Sequence, residues 1–264
     1  LSFVDHLWEI FGPLLRGIKL VMVTKDIVMD IPTFIHQLAQ HKISRIVLVP
    51  SLLKAMLLHE KLCIEKLQTL TICSCSGEAL DAALVQKFYA VFPHHTLLNI
   101  YGSTEVMADA TFYDTSLHKT STQIYIGRPI ANTKVYIVND QYNLCPINGI
   151  REIVVSGDGV AQGYLHKPEL TQEKFVANPF KQGETMYKTG DLGRWLYNGN
   201  IEYIGRKDNQ VKINGYRIEL GEVEAAVKKI ANVDAVVVVA KTNVQDEKEL
   251  VAYMVGKEKL DATA

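Results

Sequence analysis

No stretch of this sequence approaches the roughly 18 to 20 consecutive apolar residues that a membrane-spanning helix needs. No charge of either sign dominates: the formal net charge is −1, and no lysine–arginine cluster forms the basic stripe of a nucleic-acid binder. Membrane and nucleic acid are therefore excluded as expected partners. Cysteine is scarce. The four residues Cys63, Cys73, Cys75 and Cys145 have neither zinc-site nor disulfide-framework spacing. They read as small buried hydrophobes in a reducing, cytoplasmic setting. Internal repeats and low-complexity tracts are absent. A leader peptide is not read at the start, because Asp5 and Glu9 interrupt any apolar core. The chain also lacks an initiator methionine and opens inside an amphipathic pattern (Leu7, Ile10, Phe11, Leu14, Leu15), so a piece of a longer protein is expected.

What is present is ordinary globular material: 264 residues, 48% hydrophobic and 22% charged, enough for one large domain or two of common size. Over 1–119, helix-like stretches at 7–17, 31–41, 51–61 and 78–91 alternate with short β-rich runs. Those runs are Ile18–Val23, Ile46–Val49, Leu70–Cys75 and Thr96–Ile100. The pattern predicts an α/β fold, a mainly parallel sheet covered on both faces. Over 120–207 the texture becomes β-rich, with Ile124–Ile126, Lys134–Val138, Arg151–Val155 and Gly199–Tyr203 separated by turn signals at 146–149 and 198–199. A distorted β-barrel lobe is expected there. Over 208–264 a strand (Gln210–Ile213), a helix (Glu222 to Ile230) and the strands Ala235–Ala240 and Leu250–Val255 predict the start of a small α+β lobe.

Three motifs carry candidate chemistry. The first is Asn99 to Glu105, where a strand gives way to a loop. Ligands of open α/β sheets bind beyond the carboxyl ends of strands. Gly102 allows close backbone approach, and a hydroxyl beside a carboxylate suits a phosphate and its Mg²⁺. A polar turn with Thr104 as helix N-cap is the bland alternative. The second is Tyr187-Lys188-Thr189-Gly190-Asp191 with Arg194. Its Asp could accept the two hydroxyls of a ribose. A simple β-turn is the alternative. The third runs from Gly199 to Glu219, a hairpin, a charged junction and a Gly215-Tyr216-Arg217 turn. Residue by residue it reads as solvated surface.

Taken together the motifs resemble the successive core motifs of adenylation domains, the amino-acid-activating units of nonribosomal peptide synthetases and other adenylate-forming, AMP-binding enzymes. The matching segments are Tyr101–Glu105, Gly127-Arg128-Pro129, Gly163-Tyr164 with Pro168 to Thr171, Tyr187–Asp191 and Gly205–Glu219, in family order over essentially the whole chain. The resemblance implies an ATP-dependent, Mg²⁺-dependent ligase that joins a carboxylate to AMP, releases pyrophosphate, and passes the acyl group to the phosphopantetheine thiol of a carrier domain in the same longer chain. By motif, Tyr101 would stack on adenine in the site shared with Gly102 and Ser103. Thr104 would touch phosphate, Glu105 would bind Mg²⁺, and Asp191 would hold the ribose. Tyr203 and Arg206 would approach ribose and phosphate. Asp208 would be a hinge, and Lys212 would face the site only in the thiolation state. The family's Ser/Thr/Gly-rich phosphate loop and terminal lysine are not in this stretch, so the 264-residue piece alone is expected to be inactive.

Phe3 to Phe11 resembles the family motif that opens the substrate pocket. The implied lining is Val4, Asp5, Trp8, Val47, Cys73, Cys75, Ile100, Ala108 and Asp109. A slip of one residue there would substitute Ser74 and Ser76 for the two cysteines. Relatives that take α-amino acids carry an Asp directly after the Phe. Here Val4 stands there and the acid has moved to Asp5. Drift of a loop is the alternative reading, and Asp109 also has one as a turn residue. Two carboxylates beside a small pocket ask for a cation. β-Alanine fits, and the Val-Asp-Trp-Val opening resembles that of β-alanine-activating domains such as those of the β-alanyl-bioamine synthases. The alternatives are an α-amino acid in a peptide synthetase or aminoadipate-reductase-like protein, an acyl-CoA synthetase, and a non-catalytic nucleotide-binding remnant.

Overall fold

The computed structural model describes residues 4–213, 215–230, 233–243 and 248–256. Phe3 and Asn214 lie outside the described residues. The chain divides into two compact units, Leu1–Gly205 and Arg206–Ala264.

The first unit opens with helices α1 (His6–Leu14), α2 (Lys25–Met29) and α3 (Ile31–Gln40). Strand β1 (Arg45–Leu48) follows, then α4 (Pro50–Leu57), α5 (Glu60–Lys66), β2 (Ile72–Cys75), α6 (Ala82–Val91) and β3 (Thr96–Tyr101). Helices α3 and α6 begin where a side chain can satisfy a free amide. Asp30 accepts from the Thr33 N–H at 3.3 Å with Pro32 in the first turn of α3, and Asp81 accepts from the Leu84 N–H at 2.7 Å to open α6. Strands β1, β2 and β3 are parallel neighbours. The chain then returns antiparallel as β4 (Thr111–Asp114) and β5 (Arg128–Pro129), completing a mixed sheet in the order β1-β2-β3-β4-β5. Leu48, Cys73, Cys75 and Leu97 pack from the sheet against Ile35, Leu53, Met56, Leu57, Val85 and Phe88 of the helices. Burying each such large side chain contributes about 1.5–3 kcal/mol over leaving it in water.

A second sheet holds β6 (Thr133–Val138), β7 (Arg151–Gly157), β8 (Phe175–Ala177), β9 (Thr185–Trp195) and β10 (Ile201–Arg206), with helix α7 (Pro168–Lys174) before β8. Its order is β10-β9-β7-β6, and β8 pairs with β9. Val135, Ile137, Ile153, Val155, Tyr187 and Ile201 form its core with Val106 and Ala110 from beside the first sheet.

Two expected strands do not form. Residues 18–23 form no regular element, no described strand pairs with them, and Ile18 and Met22 are solvent-exposed. A β-propensity run without a ladder partner stays a connection. At 124–126 the backbone is held by other groups: the Tyr125 carbonyl accepts from Asn99 Nδ2 at 2.7 Å, and the Ile126 carbonyl accepts from Thr111 Oγ1 at 2.5 Å. The Ile126 N–H donates to the Ile201 carbonyl at 2.9 Å. The first sheet thus reaches Pro129, past the change of texture near position 120. The second sheet is open among the described residues, with β10 and β6 at its edges. A bridge from Gly127 to Ile201 ties β10 to the chain just before β5. Gly127 also lets the chain pass directly against β4, since a Cβ there would lie 1.8 Å from the Phe112 carbonyl oxygen.

The second unit pairs β11 (Gln210–Ile213) with β12 (Tyr216–Glu219), continues into helix α8 (Leu220–Val227), and pairs β13 (Val233–Thr242) with β14 (Lys248–Gly256). Among the described residues no helix is long and apolar enough to cross a membrane.

Candidate active site

β3 ends at Tyr101, and the loop 102–110 folds back on itself before β4. At Gly102 a Cβ would sit 1.7 Å from the Ala108 carbonyl oxygen, so no other residue fits. Met107 and Ala108 take consecutive left-handed conformations, φ 60° and 74°. Each such residue costs on the order of 1–3 kcal/mol, and such strain gathers at functional sites. It is held by the Ala108 N–H on the Ser103 carbonyl at 3.1 Å and the Ala110 N–H on the Tyr101 carbonyl at 2.8 Å. Thr104–Val106 is a single 3₁₀ turn. Thr104 is its first residue and not its cap, which corrects the N-cap alternative: Ser103 takes that place, without a side-chain cap bond.

Thr189-Gly190-Asp191, whose composition also suits a turn, lies inside strand β9. Opposite it the β7 register slips between Glu152 and Val154, and Gly190 takes φ 75°. A bulge of this kind re-aims a side chain. Thr189 Oγ1 donates to the Ile153 carbonyl at 2.7 Å and accepts from the Asp191 N–H at 3.0 Å. The carboxylate so presented accepts from the Tyr101 hydroxyl, 2.6 Å from Oδ2. Burial first, and then the Asp191 charge, push the Tyr101 hydroxyl well above its ordinary range, so it remains a donor. The ring of Tyr203 on β10 lies 6.2 Å from that of Tyr101, centroid to centroid. Three residues distant in sequence therefore meet at one strand end.

Glu105 is only 7% exposed. Its Oε1 accepts from the Tyr164 hydroxyl at 2.8 Å. Tyr164 belongs to a motif already noted, but its part in this site was not legible, because nothing in the sequence joins positions 59 residues apart. Among the described residues no three His, Cys, Asp or Glu side chains gather to hold a metal. A single buried carboxylate beside the Thr104 hydroxyl still fits Mg²⁺, which keeps waters and takes one or two carboxylates together with substrate phosphates.

At the amino-terminal side, Val4 and Asp5 lead into α1, and Trp8 Nε1 donates to Asp5 Oδ1 at 3.4 Å. The Arg45 guanidinium lies 5.4 Å from the centre of the Trp8 ring. Asp109 Oδ1 is buried without a hydrogen-bond partner. Its carboxyl is pushed up to about 7, by burial first and then by the charges of Asp5 and Glu9, with Arg45 pulling the other way. Burial and Asp5 also raise Glu9. The structure thus brings Asp5, Trp8 and Asp109 into one electrostatic neighbourhood, and Ala108 is the strained residue beside it.

The remaining wall separates into two faces. Strand alternation and register align Val47 with Ser74 and Leu98, and so with Ile100. Cys73 and Cys75 are on the opposite face, fully buried in the helix-side core with Leu48 and Leu97. The structure does not bring the cysteines to the Val47–Ile100 face. Ser74 stands there instead, its Oγ buried without a partner. A run of alternating small residues gives no sign of which phase faces a ligand. Arg206, Asp208 and Lys212 belong to the second unit, where Arg206 Nε and Nη2 each reach an Asp208 carboxylate oxygen at 2.6 Å.

Residues 1–165 match the family model for the AMP-binding enzyme. This chain belongs to the AMP-binding enzyme family. It is 40% identical over 257 residues to tyrocidine synthase 3 of Brevibacillus parabrevis, covering 97% of this chain and 4% of that protein. It is 41% identical over 254 residues to bacitracin synthase 3 of Bacillus licheniformis, covering 96% of this chain and 4% of that protein. The chain therefore spans a small part of the curated relatives it matches. Among solved structures it superposes with a TM-score of 0.84 and 26% identity on PA1221, a nonribosomal peptide synthetase protein containing adenylation and PCP domains, over 99% of this chain and 52% of that one. It superposes equally, TM-score 0.84 with 27% identity, on the Vibrio cholerae adenylation domain AlmE in complex with glycyl-adenosine-5'-phosphate, over 96% of this chain and 48% of AlmE. The fold of this family member is the α/β fold of adenylate-forming enzymes, and the strained loop, the Tyr101–Asp191 bond and the buried Glu105 are set within it.

Proposed function

We propose that this chain is part of an amino-acid adenylation domain: it activates an amino acid with ATP as the aminoacyl-adenylate, releases pyrophosphate, and delivers the acyl group to a carrier-protein phosphopantetheine thiol. The favoured substrate is β-alanine. The observation that carries the reading is Asp109, a carboxyl with one oxygen buried and unpartnered, raised to about 7 by burial and by its acidic neighbours. Such a group is held at a cost that a cationic ligand removes. A substrate ammonium between Asp5 and Asp109 would hold the Asp109 carboxyl in its charged form. Val4 in place of an acid, with Asp5 one residue on, suits an ammonium one carbon further from the carboxyl than in an α-amino acid. A Trp8 indole in the pocket wall would fill the volume that a long side chain needs. The glycyl adenylate held by AlmE supports a small aminoacyl group in a related pocket.

The residues then divide the work. Tyr101 offers a ring for adenine, and its hydroxyl orients the Asp191 carboxylate toward the ribose hydroxyls. Gly102 lets the loop close against the Ala108 carbonyl and so shapes the strand end where the nucleotide would bind. Thr104 donates to a phosphate oxygen, and Glu105 would hold Mg²⁺, which supplies charge neutralisation to the phosphates when bound. Tyr203 borders the ribose. Arg206, Asp208 and Lys212 supply the second unit's contribution across the two half-reactions, with Asp208 as the hinge. Displacement at the α-phosphate needs positioning and electrostatics above all. An uncharged acid, as in an acyl-CoA synthetase, would leave Asp5 and Asp109 without a cation, which favours the amino-acid reading over that rival.

The test is amino-acid-dependent ATP–pyrophosphate exchange by the intact protein from which this chain comes, with β-alanine, glycine and L-alanine in parallel. β-Alanine should give the highest kcat/KM. A preference for an α-amino acid refutes the substrate assignment. No exchange with any amino acid refutes the class.

A further inference from the structure

We propose that Tyr164 is a positioning residue for Glu105, its hydroxyl holding that carboxylate in the orientation that receives the divalent cation of the nucleotide. The inference rests on the reading of Glu105 given above and adds a role for the Gly163-Tyr164 and Pro168 to Thr171 segments, which that reading leaves unused.

The segment is built to deliver one hydroxyl. At Gly163 the backbone takes φ 141°, and a Cβ there would lie 2.3 Å from Thr171 Cγ2, so the chain passes directly against Thr171. The Tyr164 N–H donates to Thr171 Oγ1 at 2.9 Å, and that hydroxyl donates to the Lys167 carbonyl at 2.9 Å. Thr171 sits in α7, so the short helix anchors the backbone of Tyr164. The ring is fixed on its other side by Phe175, edge to face with centroids 5.4 Å apart. The hydroxyl so fixed reaches across 59 residues of sequence to Glu105 Oε1 at 2.8 Å. A backbone contact doubles the grip: the Ala161 N–H donates to the Glu105 carbonyl at 2.9 Å. The phenol O–H donates to one oxygen of the carboxylate, which fixes the direction of the other. Hydrogen bonds from outer groups orient metal-binding carboxylates in this manner, and their loss typically costs about 10- to 100-fold in metal affinity.

A purely structural brace would also connect these residues, so the test must separate bracing from orientation. Tyr164→Phe keeps the ring and its packing and removes only the donor. The readout is the thermal shift that ATP gives the intact protein as Mg²⁺ is titrated, with ATP plus EDTA as the baseline. Tyr164→Phe should raise the half-saturating Mg²⁺ concentration about tenfold while leaving the shift in EDTA unchanged. Thr171→Val, which releases the backbone anchor without touching Glu105, should move the Mg²⁺ midpoint in the same direction and serves where Tyr164→Phe melts too low to titrate. A wild-type protein that responds to Mg²⁺ while both variants respond at the same concentration overturns the positioning role alone. A wild-type protein that gains nothing from Mg²⁺ overturns the reading of Glu105 and this proposal with it.

Discussion

Replacing Asp109 with asparagine should make the substrate-free protein more stable at pH 8 and, in the same molecule, remove most of its response to the amino acid. The carboxyl is raised from its ordinary 3.8 to about 7 by burial and by Asp5 and Glu9. A carboxyl raised on folding binds more protons in the folded than in the unfolded state between those two values. Stability contributed by this group is therefore full below pH 4 and declines as pH rises toward 7, after which the whole penalty is present. At about 1.4 kcal/mol per pH unit the rise corresponds to roughly 4 kcal/mol. Asp109 is half-buried rather than sealed, and solvent screening reduces that to about 1–2 kcal/mol. For the first unit, Leu1–Gly205, this is a gain of roughly 3–6 °C in melting temperature at pH 8. Asparagine keeps the shape and removes the charge, so the gain should shrink steadily toward pH 5. Thermal melts of wild type and Asp109→Asn across pH 5 to 8 make the measurement. A variant that melts lower than wild type at pH 8, or by the same margin at every pH, refutes the reasoning. Pyrophosphate exchange on the same samples should fall sharply for β-alanine, because a neutral amide no longer draws an ammonium.

Three further outcomes are expected. Tyr101→Phe retains the ring but strips Asp191 of its 2.6 Å donor, and a lost bond to a charged acceptor costs about 1.5–3 kcal/mol; the melting temperature should drop by about 4–8 °C, and an unchanged melt counts against the bond. Gly102→Ala places a methyl 1.7 Å from a backbone oxygen, so the loop 102–110 cannot close: ATP should no longer protect that loop from limited proteolysis, and undiminished protection would show that the loop tolerates a side chain. His95, beside Phe92, is lowered by burial and by His94, so its effect on stability is neutral above the ordinary 6.5 and unfavourable as pH falls below it. His95→Leu should flatten the decline in melting temperature between pH 7 and 5.5, and a decline as steep as wild type's assigns the acid sensitivity elsewhere.

Local pattern made much of the fold readable, and where it failed the cause was a long-range partner. The apolar runs around 46–49, 70–75 and 96–100 became β1, β2 and β3 because each had a neighbour to pair with. Residues 18–23 look equally strand-like and form no strand for want of one. Strand β9 was hidden because Thr189-Gly190-Asp191 has turn composition, yet its backbone bonds with β7 on either side of the bulge. The site followed the same rule. Asp5 and Asp109 were legible as a pair of acids from their motifs. The phase of residues 73–76 was not, since alternation is symmetric until one face meets the helices.

The order of motifs from Tyr101 to Glu219 is a property of the chain, and by itself it determined the family and the residue types at the candidate site, because each segment needs its own local chemistry. Tertiary structure decided which of those residues meet. It joined Tyr101 to Asp191 through a bulge and Glu105 to Tyr164 through a glycine turn, and it put Ser74 rather than the cysteines beside Val47 and Ile100. A hydrogen bond across 59 or 90 residues has no local signature: it exists only once two sheets have packed and brought both ends within hydrogen-bonding distance.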